Sequence, residues 1–162
     1  MWAEIDVPSA DKDWTLAMRE RTRSVIEALR RHPWAVGLME RRAKPGRANL
    51  QHHNDVLGCL RGAGFSPKDS VHVMSLFDSF MYGFALQQRT LALDTREDFQ
   101  DAAVRQSTQV AALAERFPHL AEVVAGHVAT EGYDYAEELE FGVDVLIEGV
   151  RAYAEQRSRA AL

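Results

Sequence analysis

Ser66-Pro67-Lys68-Asp69 reads as a helix start. The serine can accept hydrogen bonds from the first backbone N–H groups, the proline sits where no N–H is needed, and the acid complements the helix dipole. No proline follows before Pro118, so the pattern predicts one long helix running to about Leu93. It is apolar on more than one side, with Val71, Met74, Phe77 and Met81 on one and Val73, Leu76, Phe80 and Phe84 on others. A helix apolar nearly all round must be covered by neighbours on several faces, which demands a helical assembly. Gly83, in its middle, costs up to about 1 kcal/mol relative to alanine and points to close packing against another backbone.

The rest of the chain carries the same helical period, and strand alternation is nearly absent. Asp11 or Asp13 can cap a helix that runs through Arg31, on which Trp14, Ala17, Met18, Val25, Ala28 and Leu29 recur at threes and fours. Pro33 ends it, because the residue before a proline is pushed away from the α region. A short helix is expected from Trp34 to Arg42, a turn at Ala43-Lys44-Pro45-Gly46, and a third helix from Ala48 to Arg61, stopped by Gly62-Ala63-Gly64. Beyond the long helix, a polar segment from Leu93 to Gln100 leads to a helix near Asp101 to Arg116 and a shorter one from Pro118 to Val128. The last helix, Tyr135 to about Arg157, is apolar on two stripes. One holds Leu139, Val143, Leu146, Val150 and Tyr153; the other holds Phe141 and Val145 with the small Gly142 and Gly149. Two long helices with more apolar surface than one small domain needs predict an all-α bundle in which they meet their counterparts in a second chain.

Composition limits the function classes. The 162 residues suit a single domain, 46% are hydrophobic, and the longest apolar stretches fall far short of a membrane span. No signal peptide is evident, and Cys59 alone can form no intrachain disulfide, so a cytoplasmic protein is expected. Residues 1–61 hold 11 basic against 8 acidic residues, and residues 62–162 hold 8 against 16. The basic excess, in Arg19, Arg21, Arg23, Arg30 and Arg31 and again in Arg41, Arg42, Lys44 and Arg47, alternates with Glu20 and Glu27 as a solvated helix face does. An acidic chain without a basic stripe is not a self-sufficient DNA binder.

Catalytic and metal signatures are missing. There is no Glu-x-x-His pair of the kind di-metal bundles use, no His-Glu-x-x-His, no P-loop and no Gly-x-Ser-x-Gly. Gly62-Ala63-Gly64 lacks the third glycine and the preceding strand of a dinucleotide fingerprint. His127 and Glu131 sit four apart, but Gly126 and Gly132 flank them, and an exposed helix end explains the pair. The plain reading of His32, His52, His53, His72, His119 and His127 is a surface or boundary histidine. His52 and His53 are neighbours on a helix, so only one can point fully into any pocket. No nucleophile, base and orienter assemble, and no metal, cofactor or enzymatic role is expected.

Arg31-His32-Pro33-Trp34, Gly64-Phe65-Ser66 opening a helix with Phe80-Met81-Tyr82-Gly83-Phe84, and the closing Phe141-Gly142-Val143-Asp144-Val145-Leu146-Ile147-Glu148-Gly149-Val150 together resemble the C-terminal domain of tetracycline-repressor (TetR) family regulators. The similarity runs from about Trp14 to Ala154, and the tetracycline-repressor branch itself fits best. It implies an all-helical effector-binding and dimerisation domain over residues 1–162, a homodimer that takes a small-molecule effector. Regulators of this kind read DNA through an N-terminal helix-turn-helix domain, which nothing before Trp14 can form. DNA contact is therefore expected only through a domain absent from this chain. A stand-alone helical binder with no DNA role is the alternative, and a helical enzyme using Asp78 and His52 as acid and base a third.

The resemblance also implies that His32, His52, Val56, Leu57, Met74 and Asp78 line a ligand pocket. Spacing supports such a wall: Val71, Met74, Phe77, Asp78 and Met81 share a side of the long helix, and His52, Val56, Leu57 and Leu60 can close it. His32 and Trp34 stand at its neck. Methionines and an aromatic make an adaptable surface, although Met74, Phe77 and Met81 are equally what plain core packing would use. Asp78, amid Leu76, Phe77 and Phe80, must face water, a partner or a ligand, since burying it unpaired is costly. His52 and Asp78 differ from the residues a tetracycline site would place there. Gly83, Leu86 and Gln87 on the long helix, with Phe141, Val145 and Gly149 on the last, are the expected dimer contact, an intermolecular four-helix bundle about a twofold axis.

Overall fold

The computed structural model describes residues 4–6, 12–36, 46–90, 114–128 and 134–160, and every regular element among them is helical. The helix α1 (Trp14–Arg31) is capped by Asp13, whose carboxylate accepts from the backbone N–H of Thr15 at 3.0 Å and of Leu16 at 3.1 Å. It stops at His32, whose N–H still reaches Ala28 O at 2.9 Å, because Pro33 disfavours the α conformation before it. Pro33 instead opens a 3-10 turn, Pro33–Ala35. The remainder of the short helix expected to Arg42, and the turn after it, lie largely outside the described residues.

The next helix, α2 (Arg47–Gly62), starts on Gly46 without a side-chain cap. Its end is a glycine-dependent reversal: Phe65 N–H donates to Leu60 O at 3.2 Å and Gly64 N–H to Arg61 O at 3.1 Å, with Gly64 at φ +92°. Only glycine takes that left-handed conformation without steric cost. The chain then enters α3 (Pro67–Thr90) through the expected cap. Asp69 N–H donates to Ser66 Oγ at 3.1 Å, and the Ser66 hydroxyl donates to Asp69 Oδ2 at 2.5 Å. The helix expected over 101–116 lies almost wholly outside the described residues. Beyond it come the short α4 (Pro118–Val123), a π-helical turn (Val124–Val128) and the long α5 (Tyr135–Ala160).

The chain divides into two compact units, 1–87 with 141–162, and 88–140. In the first, Met18 and Val25 of α1, Val56 and Leu60 of α2, Phe77 and Met81 of α3 and Val143 of α5 are fully buried. Salt bridges and hydrogen bonds tie these helices together. Arg19 of α1 pairs with Asp144 of α5, and the Tyr153 hydroxyl of α5 donates to Asp69 Oδ1 at 3.0 Å. Gly142 is where α5 approaches α3 most closely among the glycines: a Cβ there would stand 2.5 Å from the Phe80 ring. In the second unit, Val124, Tyr135 and Leu139 are buried, while Phe117, Leu120 and Val123 are exposed.

Among the described residues, the long helix has one buried stripe. Ser70, Val73, Phe77, Met81 and Ala85 form the buried stripe, whereas Val71, Leu76 and Leu86 are exposed. The all-round burial expected of α3 is therefore not supplied by the described residues. The same holds for α5, where Val143, Ile147 and Val150 are buried and Phe141 and Val145 are not.

Candidate ligand site

A buried arginine organises the interior of the first unit. Arg21 sits on the apolar face of α1, one turn after Ala17 and one turn before Val25, both buried. Only 1% of its surface is exposed. Its Nε–H donates to His52 Nε2 on α2 at 3.1 Å, and its Nη2 donates to Asp78 Oδ1 on α3 at 2.6 Å. One side chain thus joins three helices. A buried charge needs a partner and hydrogen bonds for its donors; Asp78 supplies the opposite charge and keeps 17% of its side chain exposed.

His52 is held neutral. Burial, and then the neighbouring Arg21 charge, push its pKa down to about 3. With Nε2 accepting from Arg21, the neutral ring carries its proton on Nδ1. The lone pair that a general base would use is already engaged, and so is Asp78 Oδ1, which speaks against the acid–base pair that a helical enzyme would need.

The residues proposed from the sequence fall into distinct groups. His52, Val56, Phe77 and Met81 are buried, and Leu57, Met74 and Asp78 are half-buried. Helical spacing sets Val56 one turn from His52, and Met74 and Met81 one turn to either side of Asp78, so these cluster around the Arg21 contacts. His32 and Trp34 stand apart, since His32 lies eleven residues beyond Arg21, about 16 Å along the helix axis. There His32 pairs with Glu4 at 3.0 Å and packs edge-on against Trp34, which is 63% exposed. Among the dimer candidates, Phe141 is 67% and Val145 53% exposed, and Gly83, Leu86, Gln87 and Gly149 are exposed as well. Gly83 and Gly149 have no atom of the described residues within 4 Å of where a Cβ would stand, so the close approach expected at Gly83 is not supplied by those residues.

The sequence reading missed Arg21 as a site residue, counting it with a run of basic residues. Its position on the Ala17–Val25 stripe was the available signal. A shallow cleft of about 160 Å³ lies elsewhere, lined by Gly64, Ser66, Asp69, Tyr153, Arg157 and Ser158 among others. Its polar groups largely satisfy one another: hydrogen bonds from Ser66 and Tyr153 hold the Asp69 carboxyl below its usual pKa, and Asp69 raises that of Tyr153. It is a clasp between α3 and α5. Cys59, buried on α2, has its thiol pKa raised by burial.

A model of the tetracyclin repressor-like C-terminal domain matches residues 7–154. The chain belongs to that family. Its members' fold is visible in solved structures. The Streptomyces coelicolor TetR family protein ActR, in complex with actinorhodin, is 21% identical with a TM-score of 0.74, over 94% of this chain and 71% of that one. ActR in complex with (S)-DNPA is 22% identical with a TM-score of 0.67, over 94% and 71%. A possible TetR family transcriptional regulator from Streptomyces coelicolor A3(2) is 23% identical with a TM-score of 0.63, over 90% and 68%. None of the curated protein sequences matches the chain. At these identities the neighbours show the all-α fold of tetracyclin repressor-like C-terminal domains. No described helix is long and apolar enough to cross a membrane.

Proposed function

We propose that these residues form the effector-binding and dimerisation part of a TetR-type transcription regulator acting in the cytoplasm. The observation that carries the reading is the Arg21–His52–Asp78 cluster, a polar set embedded in an apolar helical interior and engaged in no catalytic arrangement. Polar groups set among apolar walls are how small-molecule sites obtain orientation and specificity. A family neighbour solved with a bound small molecule supports the same reading.

Dimerisation is the second half of the proposal. Leu76, Gly83 and Gln87 lie along one side of α3, and Phe141, Val145 and Gly149 along one side of α5. Exposed apolar and small residues on both elements suit a twofold contact with a second copy. DNA would be read by a helix-turn-helix domain other than these residues, and effector binding would favour the dimer shape that fits its operator less well.

A thermal-shift screen of small apolar molecules with polar substituents tests the sensing half. A true effector at about a hundred times its Kd adds about 2.7 kcal/mol of stability, with a concentration-dependent Tm. A folded chain that no compound stabilises, but that turns over a substrate, would replace this reading by the enzymatic one. For the dimer, Phe141→Glu is expected to yield monomers in sedimentation equilibrium; a native-mass dimer from that variant removes Phe141 from the interface.

A further inference from the structure

Residues 4–6 are tied to the C-terminal half of α1. Ile5 is buried, with 4% of its surface exposed. The Asp6 N–H donates to Ser24 Oγ at 2.9 Å. The Glu4 carboxylate accepts from Arg31 Nη1 at 2.9 Å and lies 3.0 Å from His32 Nε2. Ser24 and Arg31 are two turns apart on one side of the helix, so the segment forms a strap along that side.

Different forces hold its residues. Ile5 supplies apolar burial, which does not depend on protonation. Glu4 is held by charge, in a place where helix polarity opposes it, because the C-terminal end of α1 carries partial negative charge. A carboxylate there needs cations. Arg31 is one, but it is shared: Glu27 lies 3.6 Å from its Nε and also accepts two hydrogen bonds from Arg30. His32 is a second, and a cation only when protonated. The chain's amino group and then His32 hold the Glu4 carboxyl down to about 2, so Glu4 stays ionised throughout the range in which histidines titrate. His32 also faces the ring of Trp34, which carries no charge.

We propose that residues 4–6 are an acid-tightened strap, closed by Ile5 and tuned by the charge of His32 against Glu4. A histidine that meets a carboxylate only in the closed state contributes below its ordinary pKa, and that contribution is lost as pH rises through the histidine range. The strap fixes how the chain ahead of α1 lies on the end of that helix, so pH sets how firmly it is held there. This device is independent of the sensing function proposed above.

The Asp6 amide reports the strap directly, because opening releases its hydrogen bond to Ser24. Its solvent exchange, measured by NMR in the full chain and compared with the rate of an unstructured chain at the same pH, gives the closed-to-open ratio. Partly exposed ion pairs contribute modestly, so that ratio is expected to be about two- to fivefold higher at about pH 5.5 than at about pH 7, where an amino terminus is still charged. The sign is opposite to that of His52, whose low pKa makes the whole fold less stable on acidification, so exchange through global unfolding would move the other way. In His32→Gln, which keeps a hydrogen-bond donor without a titrating charge, the ratio is expected to be the same at both pH values. In Glu4→Gln it is expected to be equally flat and to stay at the lower level. Circular dichroism checks native helicity in both variants. A wild-type ratio that does not rise on acidification overturns the proposal. A rise that survives in folded His32→Gln also overturns it, since another group would then carry the effect, and a rise kept in folded Glu4→Gln removes the pairing on which it stands.

Discussion

Replacing Arg21 by methionine removes a donor to His52 and the countercharge of Asp78 in one step. Breaking one side of a buried ion pair typically costs about 3–5 kcal/mol, and the part exposure of Asp78 puts this case near the lower figure, about 3 kcal/mol. Asp78→Asn in the Arg21→Met background should recover much of that loss. Chemical denaturation of the two single variants and the double variant measures it; strictly additive effects would mean that the pair is not coupled. His52 gives a second expectation. Its folded pKa, near 3, lies below the ordinary histidine value of 6.5, so the unfolded chain takes up a proton that the folded chain refuses. That contribution is fully present above pH 6.5 and is lost as pH falls toward 3. Between pH 7.5 and 5 the loss is up to about 2 kcal/mol, read as a falling denaturation midpoint, and His52→Gln should flatten the slope. The sequence offers His52 and Asp78 as candidates, the latter because a carboxylate among Leu76, Phe77 and Phe80 needs a reason to be there. It does not show that Arg21 joins them, since residue type in a basic run outweighed position on the Ala17–Val25 stripe.

At the scale of elements, helix ends are the most legible feature because they depend on a few local residues. Ser66 shows how much a cap does. Its hydroxyl accepts from Asp69 N–H and donates to the Asp69 carboxylate, which in turn holds Tyr153 of α5. Ser66→Ala is expected to cost about 1–2 kcal/mol by thermal denaturation, the upper range for a lost cap because the clasp to α5 loosens with it. A change below a few tenths would mean that Asp69 and Tyr153 hold the helix start without it. Less of the packing was legible. Glycines at 83, 142 and 149 look alike in sequence, yet among the described residues only Gly142 has another side chain, Phe80, against its backbone, because helix crossing points depend on the whole arrangement. The π-helical turn at Val124–Val128 left no sequence signal at all. Periodicity reports which residues are apolar, not which neighbour covers them, and so the exposure of Val71, Leu76 and Leu86 on α3 is visible only in the structure.

Across the whole molecule, the proposed function assigns effector binding to the buried interior of the first unit and dimerisation to the exposed stripes of α3 and α5. Arg21 links α1, α2 and α3 at the interior, while α3 also carries Leu76, Gly83 and Leu86 toward the outside. A ligand drawing on Asp78 and a second chain resting on the opposite side of α3 would therefore act on the same helix. On that reading effector and dimer shape would share an element whose position both could bias, the condition for coupling between sites. The family was legible from three separated stretches, because their order and spacing follow from the fold; the ligand was not, because it depends on a few side chains that families exchange freely. Native mass spectrometry of the chain purified from expressing cells tests the joint claim most directly. With a chain mass of 18.2 kDa, the account predicts ions at twice that mass that shed a small molecule on activation; ions at the single mass with no passenger would contradict it.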